Sequence, residues 1–394
     1  MIAYLVHRFP VRTQTFTYDE VRGLVDARLD LVVYPFRAGE DVDWPLAGIS
    51  VRVLPQRVSR YAAALVWWAL RRPARLARCV WWLLAGAYVE RPSARERLAN
   101  LSALPRGALL AREPGIDLFH AQFANEAATA ALVAATLAVV PFSFRSHTAP
   151  NPQLLGEKLR RAAAVLSISE YDAARLRAVE PRAQIVVAPL GIPLPEQKPV
   201  TRVPGLVVSV GSLIEKKGHD VLVDACARMR DEGRDLRCEI VGDGHLAASL
   251  RRQIDALDIG DRVTLRGYLP RGEVEELVSR ATVFALASIP SSAGTDGVPV
   301  VLLEAMAVGT PCVSSRISGI PEVIRDDQTG VLVPPGDVAA LAAALTHVLD
   351  DPELAQRLGD AGRAFVRSER TAAACYGRAA EVLAGCARSA STAG

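Results

Sequence analysis

The segment Asp296-Gly-Val-Pro-Val-Val-Leu-Leu-Glu304 sets two carboxylates around the start of an apolar stretch. Pro299 suits a first helical turn, so a loop enters a helix at Val298 to Val300, and Gly297 lets a ligand approach the backbone. The free N–H groups and dipole of a helix start favour a phosphate. Asp296 then lies just before the helix and Glu304 about five residues inside it, roughly 7 to 8 Å further along its axis at about 1.5 Å per residue. Carboxylates beside a phosphate make sense when they bind hydroxyls, which points to a nucleotide sugar with its ribose at one acid and its hexose at the other. The same residues also fit a helix-capping Asp296 and a solvated Glu304.

Such a site needs a rigid frame, and apolar strands alternate with helices along the chain. Strands are expected near 2–6, 29–34, 117–120, 142–145 and 165–168, with helices near 15–25 and 127–138. A second run sets strands at 206–210, 236–241, 263–266, 283–286 and 312–315 between helices at 221–230, 246–256, 271–280 and 300–308, and further helices at 338–349, 352–366 and 370–384. This predicts an α/β fold of parallel sheets covered on both faces. At 394 residues two domains are expected. Five prolines between Ala188 and Pro204 suggest the boundary. The expected division is a first domain 1–190, a linker 191–204, a second domain 205–369, a C-terminal helix 370–386 and a disordered tail 387–394. Ligands of doubly wound sheets bind at the carboxyl ends of the strands, so the expected site is a cleft that the two domains face.

Composition narrows the function classes. Half the residues are hydrophobic and 23% charged, which fits a packed fold, and a net charge of +3 makes no case for a nucleic-acid partner. The six cysteines lack CxxC spacing and sit in apolar stretches, and the N-terminus does not read as a signal peptide. No stretch reaches the roughly 20 uninterrupted apolar residues of a membrane span. A cytoplasmic protein is expected, free or at the inner face of the membrane. Asp41-Val-Asp43 has the form of a metal-binding DxD but not the buried strand before it, and a surface loop is the expectation. No HxH or CxxC cluster points to a metal.

The stretch DGVPVVLLEAMAVGTPCV resembles the E-x7-E motif of glycosyltransferase family 4, with Asp296 at the first acid. SVGSLIEKKGHDVLVDA (209–225), EIVGDGHL (239–246), RGYLPRGEVEELVSRATVFALAS (266–288), SGIPEVI and TGVLVPPGD are similar to that family's segments in its order. The resemblance implies a GT-B fold of two Rossmann-like domains whose C-terminal helix returns to the first. It also implies retaining, metal-independent transfer from a nucleotide diphosphate sugar, a co-substrate linked to UDP or GDP, with no cofactor. Lys217 would meet the pyrophosphate and stabilise the leaving nucleotide. Glu304 would hold ribose, Asp296 the sugar, and the backbone at Gly267, Tyr268 and Leu269 would lie against the base. Ser212 stands where the family has Arg, so one of two expected cations is missing: Arg145 or another basic residue supplies it, or catalysis is weaker, or the donor differs.

In the first half, the run from His7 to Val21 resembles the P-x-x-S-E-T-F opening of a branch acting in polysaccharide and capsule assembly. Thr13, Gln14 and Thr15 would face the site, and Thr13 or Thr15 can cap the next helix. DLFHAQFA and FSFRSH are similar to the family's strand ends, which gives His120 and His147 as candidates, with His147 near the sugar. The acceptor would be a saccharide, a lipid-linked sugar or a small molecule. A natural-product glycosyltransferase, a nucleotide-sugar-binding protein without turnover and a sugar-nucleotide epimerase are the alternatives.

Four of the five tryptophans, Trp67, Trp68, Trp81 and Trp82, surround Arg71, Arg72, Arg75 and Arg78. On one unbroken helix, Trp67, Arg71, Arg75, Arg78 and Trp82 share a face, although Pro73 is placed to kink it. Residues 61–88 fit an interfacial helix on anionic lipid, and fit equally well a domain helix with its Trp side chains in the core.

Overall fold

The computed structural model describes residues 1–42, 44–86, 93–148, 153–196, 199–292 and 294–391. The chain divides into two units: Met1–Leu190 with Ala372–Gly394, and Gly191–Thr371.

The first unit carries seven strands: Ile2–Phe9 (β1), Leu31–Ala38 (β2), Ser50–Val51 (β3), Leu118–Gln122 (β4), Phe142–Ser146 (β5), Ala164–Ser167 (β6) and Ile185–Val187 (β7). They pair in parallel in the order β3-β2-β1-β4-β5-β6-β7. Its helices are Thr15–Asp26 (α1), Val58–Arg71 (α2), Pro73–Ala85 (α3), Ala94–Asn100 (α4), Ala103–Leu110 (α5), Glu126–Ala138 (α6), Leu155–Arg161 (α7) and Glu170–Val179 (α8). The second unit repeats the plan with Leu206–Val210 (β8), Arg237–Val241 (β9), Val263–Gly267 (β10), Val283–Leu286 (β11), Cys312–Ser315 (β12) and Val331–Val333 (β13), in the parallel order β10-β9-β8-β11-β12-β13. Its helices are His219–Asp231 (α9), Ala247–Ala256 (α10), Arg271–Arg280 (α11), Val300–Ala307 (α12), Val338–Asp350 (α13) and Pro352–Glu369 (α14), and Ala372–Ser391 (α15) closes the chain in the first unit. These are two Rossmann-like α/β units, each with its strand order reversing at one switch point: between β1 and β4, and between β8 and β11.

The central strands of each sheet are buried on both faces and are near-continuous apolar runs such as IAYLV and LVV. One face of the first sheet packs on α6 beneath α2, α3 and α5, and the other on α1 and α15. Helix α6, Ala-rich and apolar all round, is buried on nearly every side.

Three expectations are corrected. The proline-rich stretch is no free linker. Ile192 donates to the Arg370 carbonyl at 3.0 Å, Arg202 to those of Ala281 at 2.7 Å and Gly309 at 2.6 Å, and all belong to the second unit. Residues 387–391 continue α15 where the composition predicts a disordered tail, and 392–394 lie outside the described residues. Nor is the stretch 61–86 one unbroken helix. The chain breaks at Arg72 (φ −145°, ψ 58°), and Trp68 and Trp82 are buried in the core, so Trp82 does not share an outward face with the arginines.

Helix α15 docks on α1 through Gly23, where an added Cβ would lie 2.5 Å from the buried Tyr376 Cδ2. Gly385, on α15, faces open space. Although alanine is the better helix former, Gly23→Ala should therefore lower the stability of the first unit by about 1 to 3 kcal/mol through overpacking. Gly385→Ala should raise it by up to about 1 kcal/mol. All five tryptophans lie in the first unit, so urea unfolding followed by tryptophan fluorescence reads both effects. A stabilising Gly23→Ala would refute this docking geometry.

Candidate active site

In the second unit, the loops after β8 and β11 meet at the switch point. Strand β8 ends at Val210, and the chain passes Gly211 and Ser212 into a single 3-10 turn, Glu215–Lys217, before α9. Strand β11 ends at Leu286 and leads through Ser288 to Asp296. Asp296 is 5% exposed, and its carboxylate receives Lys217 Nζ at 2.9 Å, Lys216 Nζ at 3.4 Å and the Ser288 hydroxyl at 2.9 Å. Burial alone would push this carboxyl up. The charges of Lys217 and Lys216, with bonds from Lys217 and Ser288, outweigh burial and hold it below its ordinary range. Asp296 is thus an ionised partner of two lysines, not a helix cap.

The cap position of α12 falls on Pro299, which lacks a capping side chain, rather than one residue earlier. Gly297 and Val298 lead into it, with the Gly297 carbonyl accepting from Gly319 N–H at 3.0 Å. The Ser318 hydroxyl, on a left-handed residue (φ 51°), donates to that of Thr295 at 2.7 Å. Glu304 is half-buried, 3.6 Å from an Arg271 guanidinium nitrogen on α11. Both line a small recess of about 40 Å³ shared with Ile192, Pro193, Val210 and Val301. Pro270, at the cap of α11, follows Gly267, Tyr268 and Leu269, and Gly267 is left-handed (φ 70°) with its carbonyl bonded to Gly242 N–H at 2.9 Å.

His219, buried at the start of α9, has Nδ1 3.4 Å from the Ser209 hydroxyl, and its Nε2 faces Gly211, 3.6 Å from where a Cβ would sit. Burial, aided by the Lys217 charge, pushes its imidazole down to about 4.

In the first unit, His147 follows β5 and packs between Phe16 and Phe123, at ring distances of 5.1 and 4.6 Å. Phe123 (φ 69°) and Thr148 (φ 60°) both have left-handed backbones, a strain that clusters at binding loops. Thr13, Gln14 and Thr15 lead into α1, whose cap position is Gln14 with no side-chain cap, so neither threonine caps it. His120 is wholly buried, with Nδ1 2.8 Å from the Ser143 hydroxyl, and burial together with Arg145 drives it down to about 3. It is a core residue. Arg145 is also wholly buried. Its Nε lies 2.9 Å from the Glu20 carboxylate and it donates to the Ala188 carbonyl at 2.6 Å, so it is consumed inside the first unit and does not stand in for the absent arginine. Asp41 lies on an exposed loop with its carbonyl bonded to Arg12, while Asp43 lies outside the described residues.

Residues 195–365 match the family described as glycosyl transferases group 1, and residues 47–195 match glycosyltransferase family 4. The putative colanic acid biosynthesis glycosyltransferase WcaL of Escherichia coli K12 is 30% identical over 388 residues, covering 90% of this chain and 92% of that protein. The chain belongs to glycosyltransferase family 4. The GDP-mannose-dependent alpha-(1-6)-phosphatidylinositol monomannoside mannosyltransferase of Mycolicibacterium smegmatis is 34% identical over 182 residues, 46% of this glycosyltransferase and 48% of that one. Anabaena Alr3699/HepE, solved with UDP and glucose, aligns over 97% of this chain and 99% of its own with a TM-score of 0.70 at 19% identity, and so shares the GT-B fold.

Sequence reasoning missed three side chains of this glycosyltransferase. Lys216 was legible as the neighbour of Lys217 in the Lys-Lys-Gly turn, whereas Ser288 and Arg271 reach the acids only through the fold.

The buried His219 gives the site a pH dependence. Its folded value, about 4, lies below the ordinary 6.5, so the unfolded chain binds the proton more tightly. The stability due to neutral His219 is complete above pH 6.5 and is lost as pH falls toward 4, a change on the order of 3 kcal/mol. Asp296 acts later, below its ordinary 3.8, because its folded value is depressed. Amide hydrogen exchange in β8 and β9 should therefore accelerate between pH 6.5 and 4 beyond the intrinsic chemical change, and His219→Gln should flatten that slope. An equal slope in the variant would contradict the assignment.

Proposed function

We propose that this enzyme transfers a glycosyl unit from a UDP- or GDP-linked sugar to a hydroxyl of a growing polysaccharide or glycolipid, with retention at the anomeric carbon and without a metal ion. The observation that carries the reading is the pair of lysines on buried Asp296 at the switch point of the second sheet. Two ammonium groups against one carboxylate leave a net positive charge beside the uncapped start of α12, which suits a diphosphate. Lys217 has three N–H donors and can keep Asp296 while bonding a phosphate oxygen. It stabilises the departing nucleotide diphosphate. Lys216 supplies the second cation that Ser212 does not, and side-chain cations then do what a divalent ion does in other transferases. Asp296 orients a sugar hydroxyl, and Glu304, steadied by Arg271, holds the ribose. Gly267 and Leu269 pass along the base. In the first unit Thr13, Gln14, Thr15 and His147 are the residues that would receive the acceptor, with Phe16 and Phe123 fixing the imidazole. Front-face attack, with the donor phosphate taking the acceptor proton, gives retention.

The colanic acid assignment of WcaL and the phosphatidylinositol acceptor of the mycobacterial mannosyltransferase support a saccharide or lipid-linked acceptor. A thermal-shift screen of UDP- and GDP-sugars should identify the donor, and NMR of the product its anomeric configuration. With that donor, Lys217→Ala should retain its fold and lose about 100-fold or more in kcat, the cost of one charge-stabilising donor. Glu304→Ala should mainly raise the donor KM, and chelator should leave the rate unchanged. Wild-type transfer by Lys217→Ala would overturn the site, and an inverted product the mechanism.

A further inference from the structure

Between Arg57 and Val89 the chain has six arginines and no acidic residue. Helices α2 and α3 lie over α5 and α6, with Ala64, Trp68, Cys79, Trp82 and Leu83 turned into the core. Their opposite faces are exposed and apolar. Val66 is 57% exposed, Leu70 78% and Trp81 72%, among the alanines at 62, 63, 69, 74 and 77. Arg57, Arg60, Arg71, Arg72 and Arg78 are exposed around them, and among the described residues no carboxylate pairs with any of the five. The acid near Trp81, Glu157, is taken up by Arg160 and Arg161. Arg75 is spent inside, donating to the Leu137 carbonyl at 2.9 Å.

We propose that the outward faces of α2 and α3 dock this glycosyltransferase on an anionic lipid bilayer. A water-facing helix normally interleaves both signs of charge with its apolar residues, and this pair presents one sign only. Exposed Leu70, Val66 and Trp81 enter the headgroup boundary, where an indole is at home, and the arginines stay with the phosphates, each contributing attraction that salt screens. No helix of the described residues is long and apolar enough to cross a membrane, so contact is peripheral. The inference is independent of the donor chemistry, because none of these residues belongs to the proposed site.

Flotation of the full-length protein with vesicles of phosphatidylcholine alone, and of phosphatidylcholine with phosphatidylglycerol, tests it. Binding is expected only to the anionic vesicles and should fall as salt is raised. Changing Arg60, Arg71, Arg72 and Arg78 together to Gln should lower partitioning about tenfold or more. Leu70→Ser with Trp81→Ala should lower it comparably, with the circular dichroism of both variants unchanged. Equal binding to neutral vesicles, no binding to anionic ones, or retention by both folded variants overturns the proposal. So does a wild-type dimer in size exclusion that Leu70→Ser dissociates without any vesicle binding, which would assign the face to a second copy.

Discussion

A carboxylate buried at the end of a parallel sheet must be met by cations and donors or give up its charge, and Asp296 is met by three. That demand fixes the backbone around it. Gly218 (φ 62°) brings the lysine turn so close to β11 that a Cβ there would stand 1.9 Å from the Ala287 carbonyl oxygen. Ile289 N–H then bonds the Lys216 carbonyl at 3.1 Å, tying the two loops together. Gly242 (φ 143°) likewise presses on the Gly211 carbonyl oxygen, which draws the turn after β9 against the turn after β8. A side chain at either glycine would lift the ammonium groups off the carboxylate. The close turns and the ion pair are one device.

The first unit buries an ion pair too, with the opposite outcome. Glu20 and Arg145 cross from α1 to β5 with neither side chain exposed, beside Tyr4 and Tyr376, and Arg145 holds the Ala188 carbonyl as well. Removing one member of such a pair strands the other charge, so the pair fixes register between helix and sheet rather than serving a ligand. Lys158 acts in the same way, with its ammonium on the carbonyls of Ala124, Asn125 and Gln153. His147, half-buried, lies instead in the loop after β5 between the rings of Phe16 and Phe123, beside the left-handed Phe123 and Thr148.

Most of the framework was legible because parallel strands buried on both faces leave a plain signal. The runs at 206–210, 283–286 and 312–315 coincide with β8, β11 and β12, and helix 271–280 with α11. Short edge strands escaped: Ser50–Val51, Ile185–Val187 and Val331–Val333 are too brief for periodicity to register. The stretch 61–88 misled because an arginine-tryptophan pattern at helical spacing says nothing about which tryptophan faces inward. Pro73 starts a new helix and turns the second pair of rings by its own phase, so that Trp82 packs in the core and Trp81 does not. Of the candidate site, Lys217 and Asp296 stand out in the sequence and the fold brings those two together. Arg145 misled for the complementary reason, since a strand-end arginine looks the same in sequence whether it points to a ligand or to a glutamate more than a hundred residues away.

On the proposed reading, Ser212 in place of an arginine marks a relocated charge rather than a lost one. Position 212 lies between the end of β8 and the lysine turn. Lys216, four residues further on and next to Lys217, reaches the same carboxylate at 3.4 Å. The 3-10 turn makes this workable, because adjacent residues in so tight a coil diverge and two neighbouring lysines can meet one acid from different directions. On the proposed reading a diphosphate meets the sum of charges on Asp296 beside the uncapped helix start, and the short turn closed by Gly218 carries both ammonium groups to that carboxylate.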